Sequence, residues 1–293
     1  MSDTHKQLIA KLAKELGPDT AQHLVSCFAD STAKPNQVEG VLVLLDELSE
    51  ASAKVARAAI DSFPELQRRD RLSDSLAWLD LGIALAESSG AIGLKFFKES
   101  PLVLGLIEQP SVRSLVLKTA LELAEQDANV ALEFLRVAPE VVTVLSPDQL
   151  GAWLEIGLEL TQVDFVVALE YIRQIPAVAR VLPIQDSRAW ATFGLKLIST
   201  NSFGKTDYFG TIEFLRTSPL ILGDLEDPSV RAKVVMVGSL LAERDPGSGI
   251  AWLSESPRLL RGVSNEGWRL KVLQYGALVA ERDAETALAY LRR

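Results

Sequence analysis

Residues 82–101 read GIALAESSGAIGLKFFKESP. A glycine opens the stretch, Phe96 stands fourteen residues later, and Pro101 closes it after five more. The same three-part spacing recurs down the chain. The small-residue column is Gly82, Ala120, Gly157, Gly194, Gly238 and Gly276. The aromatic column is Phe96, Phe134, Tyr171, Phe214, Trp252 and Tyr290, with the gap widened to twenty residues in the fourth copy. Pro101, Pro139, Pro176, Pro219 and Pro257 follow at spacings of 38, 37, 43 and 38, and Pro64 extends the series back by 37. Self-similarity at such a period predicts a helical solenoid, in which each unit buries its apolar face only against its neighbours.

The copy from Val112 to Gln149 shows the unit best. A first helix, from about Val112 to Gln126, carries Leu115, Val116, Thr119, Ala120 and Leu123 at helical spacing. A polar break at Asp127–Asn129 precedes a second helix, Ala131–Val137, and Pro139 opens a third that ends near Leu145. Proline is tolerated in a helix's first turn but costs about 3 kcal/mol in its interior, so the column predicts three helices per unit. Two helices plus a structured turn is the alternative. A helical glycine costs up to about 1 kcal/mol relative to alanine. Glycine at one phase of nearly every copy therefore predicts a close helix–helix approach, with the aromatics plugging the gap between units. The third and sixth residues after each of the five prolines from Pro101 onward, such as Leu104 and Ile107, are apolar and extend the buried stripe. Lys98, Arg136, Arg173, Arg216 and Arg292 share one phase, broken by Ser254. Glu133, Glu170 and Glu213 stand three residues ahead of their arginines, which predicts a ladder of alternating charge on a solvated face.

These columns predict an all-α fold without strands: a right-handed α-solenoid of about six HEAT/armadillo-like repeats with period 37–38. Residues 1–35 read as a capping helical hairpin, with helices at about Thr4–Leu16 and Thr20–Phe28 and an N-cap for the second at Asp19 or Thr20. Residues 36–74 are a degenerate first repeat, in which Leu45 and Ala59 replace the small and aromatic residues. Residues 75–293 hold the regular repeats. The last stops at Arg293, two residues before position 295 where the next proline falls due. That predicts either a piece of a longer protein, the reading preferred, or an end closed on another subunit.

A net charge of −9 argues against a phosphate-binding face, and the one dense basic run, Arg68-Arg69-Asp70-Arg71, is short and interrupted. No apolar run is long enough to cross a bilayer, and MSDTHKQLIAKLAKEL lacks the parts of a signal peptide. A single cysteine, Cys27, precludes an internal disulfide. A cytoplasmic protein without membrane insertion or nucleic-acid partner is the expectation. His23 and Cys27 stand at i, i+4, but a metal site needs three or four ligands, so they read as a partly buried histidine beside a core cysteine. No phosphate loop, dinucleotide fingerprint or G-x-S-x-G element occurs. We therefore expect no catalytic, cofactor or metal residues.

The fourth repeat breaks the regularity with six extra residues in Ser199–Gly210. Insertions in repeat proteins map to loops that often form the binding face. Phe203, Lys205, Tyr208 and Phe209 are the candidate partner-binding residues, against the alternative that the loop's aromatics pack on the neighbouring unit.

The pattern small-x(13)-aromatic-x(4)-Pro in GIALAESSGAIGLKFFKESP, seen without its proline in GALVAERDAETALAYL at residues 276–291, resembles the helical repeats ahead of the von Willebrand A domain in proteins of the NorD/CbbO type. The resemblance spans about residues 75–293. It implies an adaptor for a MoxR-class AAA+ ATPase, a machine that remodels or activates metalloenzymes and Rubisco. The D-x-S-x-S metal-adhesion motif of that domain is missing from the chain, so its metal-dependent binding is not carried over. The expected function is a non-enzymatic protein-interaction scaffold whose partner is another protein, such as an AAA+ ATPase or its client. The alternatives are a HEAT-like enzyme acting on nucleic acid, which needs a basic concave face, and a structural spacer arm.

Overall fold

Seven residues after the small column, Asp127, Asp164, Asp245 and Asp283 share another phase of the repeat. A computed structural model describes residues 2–29, 34–69, 72–200, 206–263 and 265–293, and in it each of these aspartates caps a helix. Asp127 accepts from the backbone N–H groups of Asn129 and Val130 at 2.8 and 3.0 Å. A carboxylate there satisfies donors that the first turn leaves open and meets the positive end of the helix dipole.

The chain divides into two compact units, Met1–Pro147 and Asp148–Arg293. The first holds α1 (Asp3–Leu16), α2 (Pro18–Ala29), α3 (Pro35–Ala51), α4 (Ala53–Arg69), α5 (Leu72–Ser88), α6 (Gly90–Leu104), α7 (Pro110–Ala124) and α8 (Ala128–Val144). The second is built of α9 (Pro147–Val163), α10 (Phe165–Val178), α11 (Ile184–Lys196), α12 (Phe209–Gly223), α13 (Pro228–Arg244), α14 (Pro246–Arg261), α15 (Glu266–Ala280) and α16 (Ala284–Leu291). In the first unit α1, α3, α5 and α7 pack in succession as one row and α2, α4, α6 and α8 as the other. Each odd-numbered helix also packs on the even-numbered helix after it. In the second unit α11, α13 and α15 form one row and α10, α12, α14 and α16 the other. There α9 joins through Trp153, whose ring stacks on Tyr171 of α10 at 6.0 Å.

The fold is all-α, as the periodicity predicts. The described residues nonetheless contain one two-residue antiparallel ladder, Ser199–Thr200 with Thr206–Asp207, where no strand was expected. It closes the base of the insertion. The chain leaving α11 and the chain entering α12 run side by side there and satisfy each other's backbone groups.

The proline column corrects the helix count. Pro101, Pro139, Pro176, Pro219 and Pro257 lie inside α6, α8, α10, α12 and α14, so each repeat has two helices and not three. The prolines fall near the C-terminal end of each helix, so the bend each one introduces redirects only a short final segment. At Pro257 the carbonyl that the missing N–H orphans, that of Leu253, accepts from the Ser256 hydroxyl at 2.9 Å. Two N-terminal expectations also change. The second helix starts at Pro18, so neither Asp19 nor Thr20 is its N-cap, and Gly17 makes the turn at φ 109°. His23 is exposed and Cys27 half-buried, so the pair does not form a core contact.

The small column does what its residue type implies. A Cβ on Gly157 would stand 2.9 Å from Ile172 Cδ1, and one on Gly238 would stand 2.5 Å from Phe193 Cε1. A second small column, not read from the sequence, meets it from the even-numbered helices. Gly93, Ala131, Ala168, Thr211, Gly249 and Ala287 are all buried. A Cβ on Gly93 would stand 2.7 Å from that of Ala86, and one on Gly249 2.7 Å from that of Ala242.

The aromatics link successive hairpins. In the second unit Trp153, Tyr171, Trp190 and Phe214 follow one another at centroid separations of 6.0, 5.7 and 6.1 Å. Their polar atoms are satisfied inside the core: Tyr171 donates to the Trp153 carbonyl at 3.2 Å, Trp190 to Ser218 Oγ at 2.8 Å, and Trp252 to the Val234 carbonyl at 3.1 Å. Turns between repeats are fastened by an arginine column. Arg113, Arg231 and Arg269, each twelve residues after a proline, donate to the carbonyls of Ile107, Leu225 and Val263. Arg113 also pairs with Asp74 at 3.5 Å, both side chains buried.

Candidate functional site

The insertion ends at Tyr208, which occupies the N-cap position of α12 without capping it through its side chain. Its hydroxyl donates instead to Asp164 Oδ2 at 2.6 Å. Asp164 is the N-cap of α10, and its other oxygen accepts from the backbone N–H groups of Val166 and Val167 at 3.0 Å each. One carboxylate thus caps its own helix and ties down the start of the next even-numbered helix. The N-termini of α10 and α12 are fixed side by side.

Each of these helices then begins with a phenylalanine. Phe165 opens α10 and is 54% exposed, and Phe209 opens α12 and is 74% exposed. Val163, just before the Asp164 cap, is exposed too. Ile250 of α14 brings a fourth apolar side chain, its Cδ1 lying 3.8 Å from where a Cβ on Gly210 would stand. Two phenylalanines held at the mouths of adjacent helices, with aliphatic side chains nearby, form an apolar edge of the kind that anchors protein interfaces.

Of the four residues predicted from the sequence, Phe209 lies on this edge, and Tyr208 is half-buried and serves to position it. Phe203 and Lys205 lie outside the described residues. Phe165 and Asp164 escaped the sequence reading, because their repeat has regular length and an insertion was the only signal followed. An aromatic immediately after a capping aspartate was the available signal. Among the five cap aspartates of the described helices, Asp127, Asp164, Asp227, Asp245 and Asp283, it occurs at Phe165 alone.

The charged column packs as a ladder on another part of the even-numbered row. Arg136 pairs with Glu99 at 2.8 Å and Glu133 at 3.2 Å, Arg216 bonds Glu170 at 2.8 and 2.9 Å, and Arg292 bonds Glu255 at 2.8 Å. Glu170 is buried, which disfavours its carboxylate, but hydrogen bonds from Arg216 and Gln174 outweigh burial and hold its pKa below the usual range. These arginines are spent on neighbouring helices, as in the expected charge ladder, but the Glu170 rung is buried and not solvated. Among the described residues, no group of three or more His, Cys, Asp and Glu side chains could hold a metal ion. Among them too, no helix is long and apolar enough to cross a membrane.

No protein-family model, curated protein or solved structure matches the chain.

Proposed function

We propose that the chain is a non-enzymatic protein-interaction scaffold, its repeats those of a right-handed HEAT/armadillo-like α-solenoid, and that it binds a partner protein through the edge around Phe165 and Phe209. The observation that carries this reading is the pairing of those two exposed phenylalanines at adjacent helix starts, fixed by the Tyr208–Asp164 bond. Exposed aromatics on a rigid frame lose little side-chain entropy on binding and supply large contact area. The cap aspartates and the ladder arginines Arg136, Arg216 and Arg292, by contrast, hold the frame together.

The resemblance of the repeat to NorD/CbbO-type proteins names the class of partner, a MoxR-type AAA+ ATPase or its client. The test is a titration of the immobilised chain with a purified MoxR-class ATPase, read by biolayer interferometry. Saturable binding supports the adaptor reading. Absence of binding in both the nucleotide-free and nucleotide-bound states of the ATPase rejects it and leaves the partner as another protein.

A further inference from the structure

Two pairs of neighbouring odd-numbered helices are tied by a lysine–glutamate rung. Lys11 of α1 bonds Glu50 of α3 at 2.8 Å, and Lys196 of α11 bonds Glu243 of α13 at 2.8 Å. Counted along the small column, Lys196 stands two residues after Gly194, and Glu243 five after Gly238. Helices α3 and α5 pack on each other in the same row. Their residues at those two phases are Glu47, two after Leu45, and Glu87, five after Gly82. A second glutamate stands where the other rungs have a lysine.

Both glutamates are exposed, and neither has a hydrogen-bond or ion-pair partner among the described residues. Glu87 lies in the last turn of α5, where the negative end of the helix dipole already disfavours an acid. More negative charge stands on the same faces. Glu39 and Val43 precede Glu47 by eight and four residues, and Val43 is 40% exposed. Asp80 takes the phase of Val43 one helix on. It loses solvation to its surroundings without gaining a cation, which pushes its carboxyl up. Among the described residues these acids belong to no group that could hold a metal ion, so the complement is an organic cation.

We infer that the Glu47/Glu87 rung is a docking site for a lysine or arginine side chain on a basic segment of a partner protein. The evidence for the occupant is charge complementarity: the same rung already holds an ammonium at Lys11–Glu50 and at Lys196–Glu243. A segment suits the site better than a lone amine. Glu39 lies about 12 Å along α3 from Glu47 at 1.5 Å per residue, with the apolar Val43 between them. Two cations flanking an aliphatic residue match that order. The site belongs to the first unit and does not depend on the Phe165/Phe209 edge.

The probe is a fluorescein-labelled peptide, Lys-Leu-Lys-Lys-Leu-Leu-Lys-Lys-Leu, titrated with the full chain and read by anisotropy. Salt is held at about 150 mM, so that long-range attraction is screened. Two charge reversals separate the rung from the general acidity of the chain. Glu47→Lys should weaken saturable binding about tenfold or more. Its melting temperature should not fall below the native one, because the new ammonium meets Glu87 as Lys196 meets Glu243. Asp61→Lys, at an exposed position of α4 in the other row, makes the same change in net charge and should leave the affinity within about twofold. No saturable binding, or equal weakening by the two reversals, overturns the inference. A melting temperature lowered by Glu47→Lys also overturns it, since the rung then does not accept a lysine. Spermidine that displaces the peptide at equal concentration overturns it too and gives the rung to a free polyamine.

Discussion

Tyr208 Oη stands 2.6 Å from Asp164 Oδ2, joining the start of α12 to the cap of α10. The contact divides the inserted segment's aromatics by role. Tyr208 belongs to the frame, and Phe209 beside it faces outward. Tyr208→Phe removes one charge-assisted hydrogen bond and should cost about 1.5–3 kcal/mol, read from the urea midpoint. Phe209→Ser should cost under about 0.5 kcal/mol. Equal losses for the two would mean that Phe209 is packing and not an anchor.

Leucine at Gly157 or Gly238 should force the helices apart, because even a Cβ would stand 2.9 Å from Ile172 or 2.5 Å from Phe193. Overpacking of this kind costs typically about 1–3 kcal/mol. Ser254→Leu, at an exposed position, should be close to neutral. Thermal melts of the three variants check this, and similar midpoints would show that the small column is no contact surface.

Asp74 and Arg113 form a buried ion pair, and Arg113 also holds the turn carbonyl of Ile107. Asp74→Ala should destabilise by about 3–5 kcal/mol, since it leaves the guanidinium buried without its countercharge. Chemical unfolding measures it. A loss under about 1 kcal/mol would mean that the pair is solvated and the arginine column dispensable.

Glu170 sets a pH signature. Its folded pKa lies below the unfolded value of about 4.3, so its contribution to stability is full above that value and is lost as pH falls through the folded pKa. The stability gap between the native chain and Glu170→Gln should therefore be widest near neutral pH and shrink below about pH 4. Urea midpoints across that range read it, and a gap constant with pH would contradict the Arg216 pairing as its source.

Much of this frame could be read from the residues because packing repeats. Gly82, Phe96 and Pro101 recur at fixed spacing, and burial follows it in the first five copies, while Tyr290, the aromatic of the last, is exposed and plugs no gap. The helix count was misread at Pro101 and its successors. Proline's intrinsic cost argues for a helix start, but the carbonyl that a late proline leaves open can be taken by a hydroxyl, as Ser256 takes that of Leu253. The arginine fasteners were visible as Pro110-Ser-Val-Arg113 and Pro228-Ser-Val-Arg231, yet nothing local says that their targets are turn carbonyls six residues back. The apolar edge was only half legible. Phe209 sits in a conspicuous insertion, while Phe165 lies in a repeat of regular length and joins the edge only through the neighbouring helix start that Tyr208 ties to Asp164.

The most direct test of the scaffold reading is the affinity of Phe165→Ser/Phe209→Ser for the partner protein, measured beside its unfolding midpoint. The account predicts binding weakened about tenfold or more, as loss of two interface anchors requires, at an unchanged midpoint. Native affinity in the double variant, or a midpoint lowered as if two core residues had been removed, would contradict it.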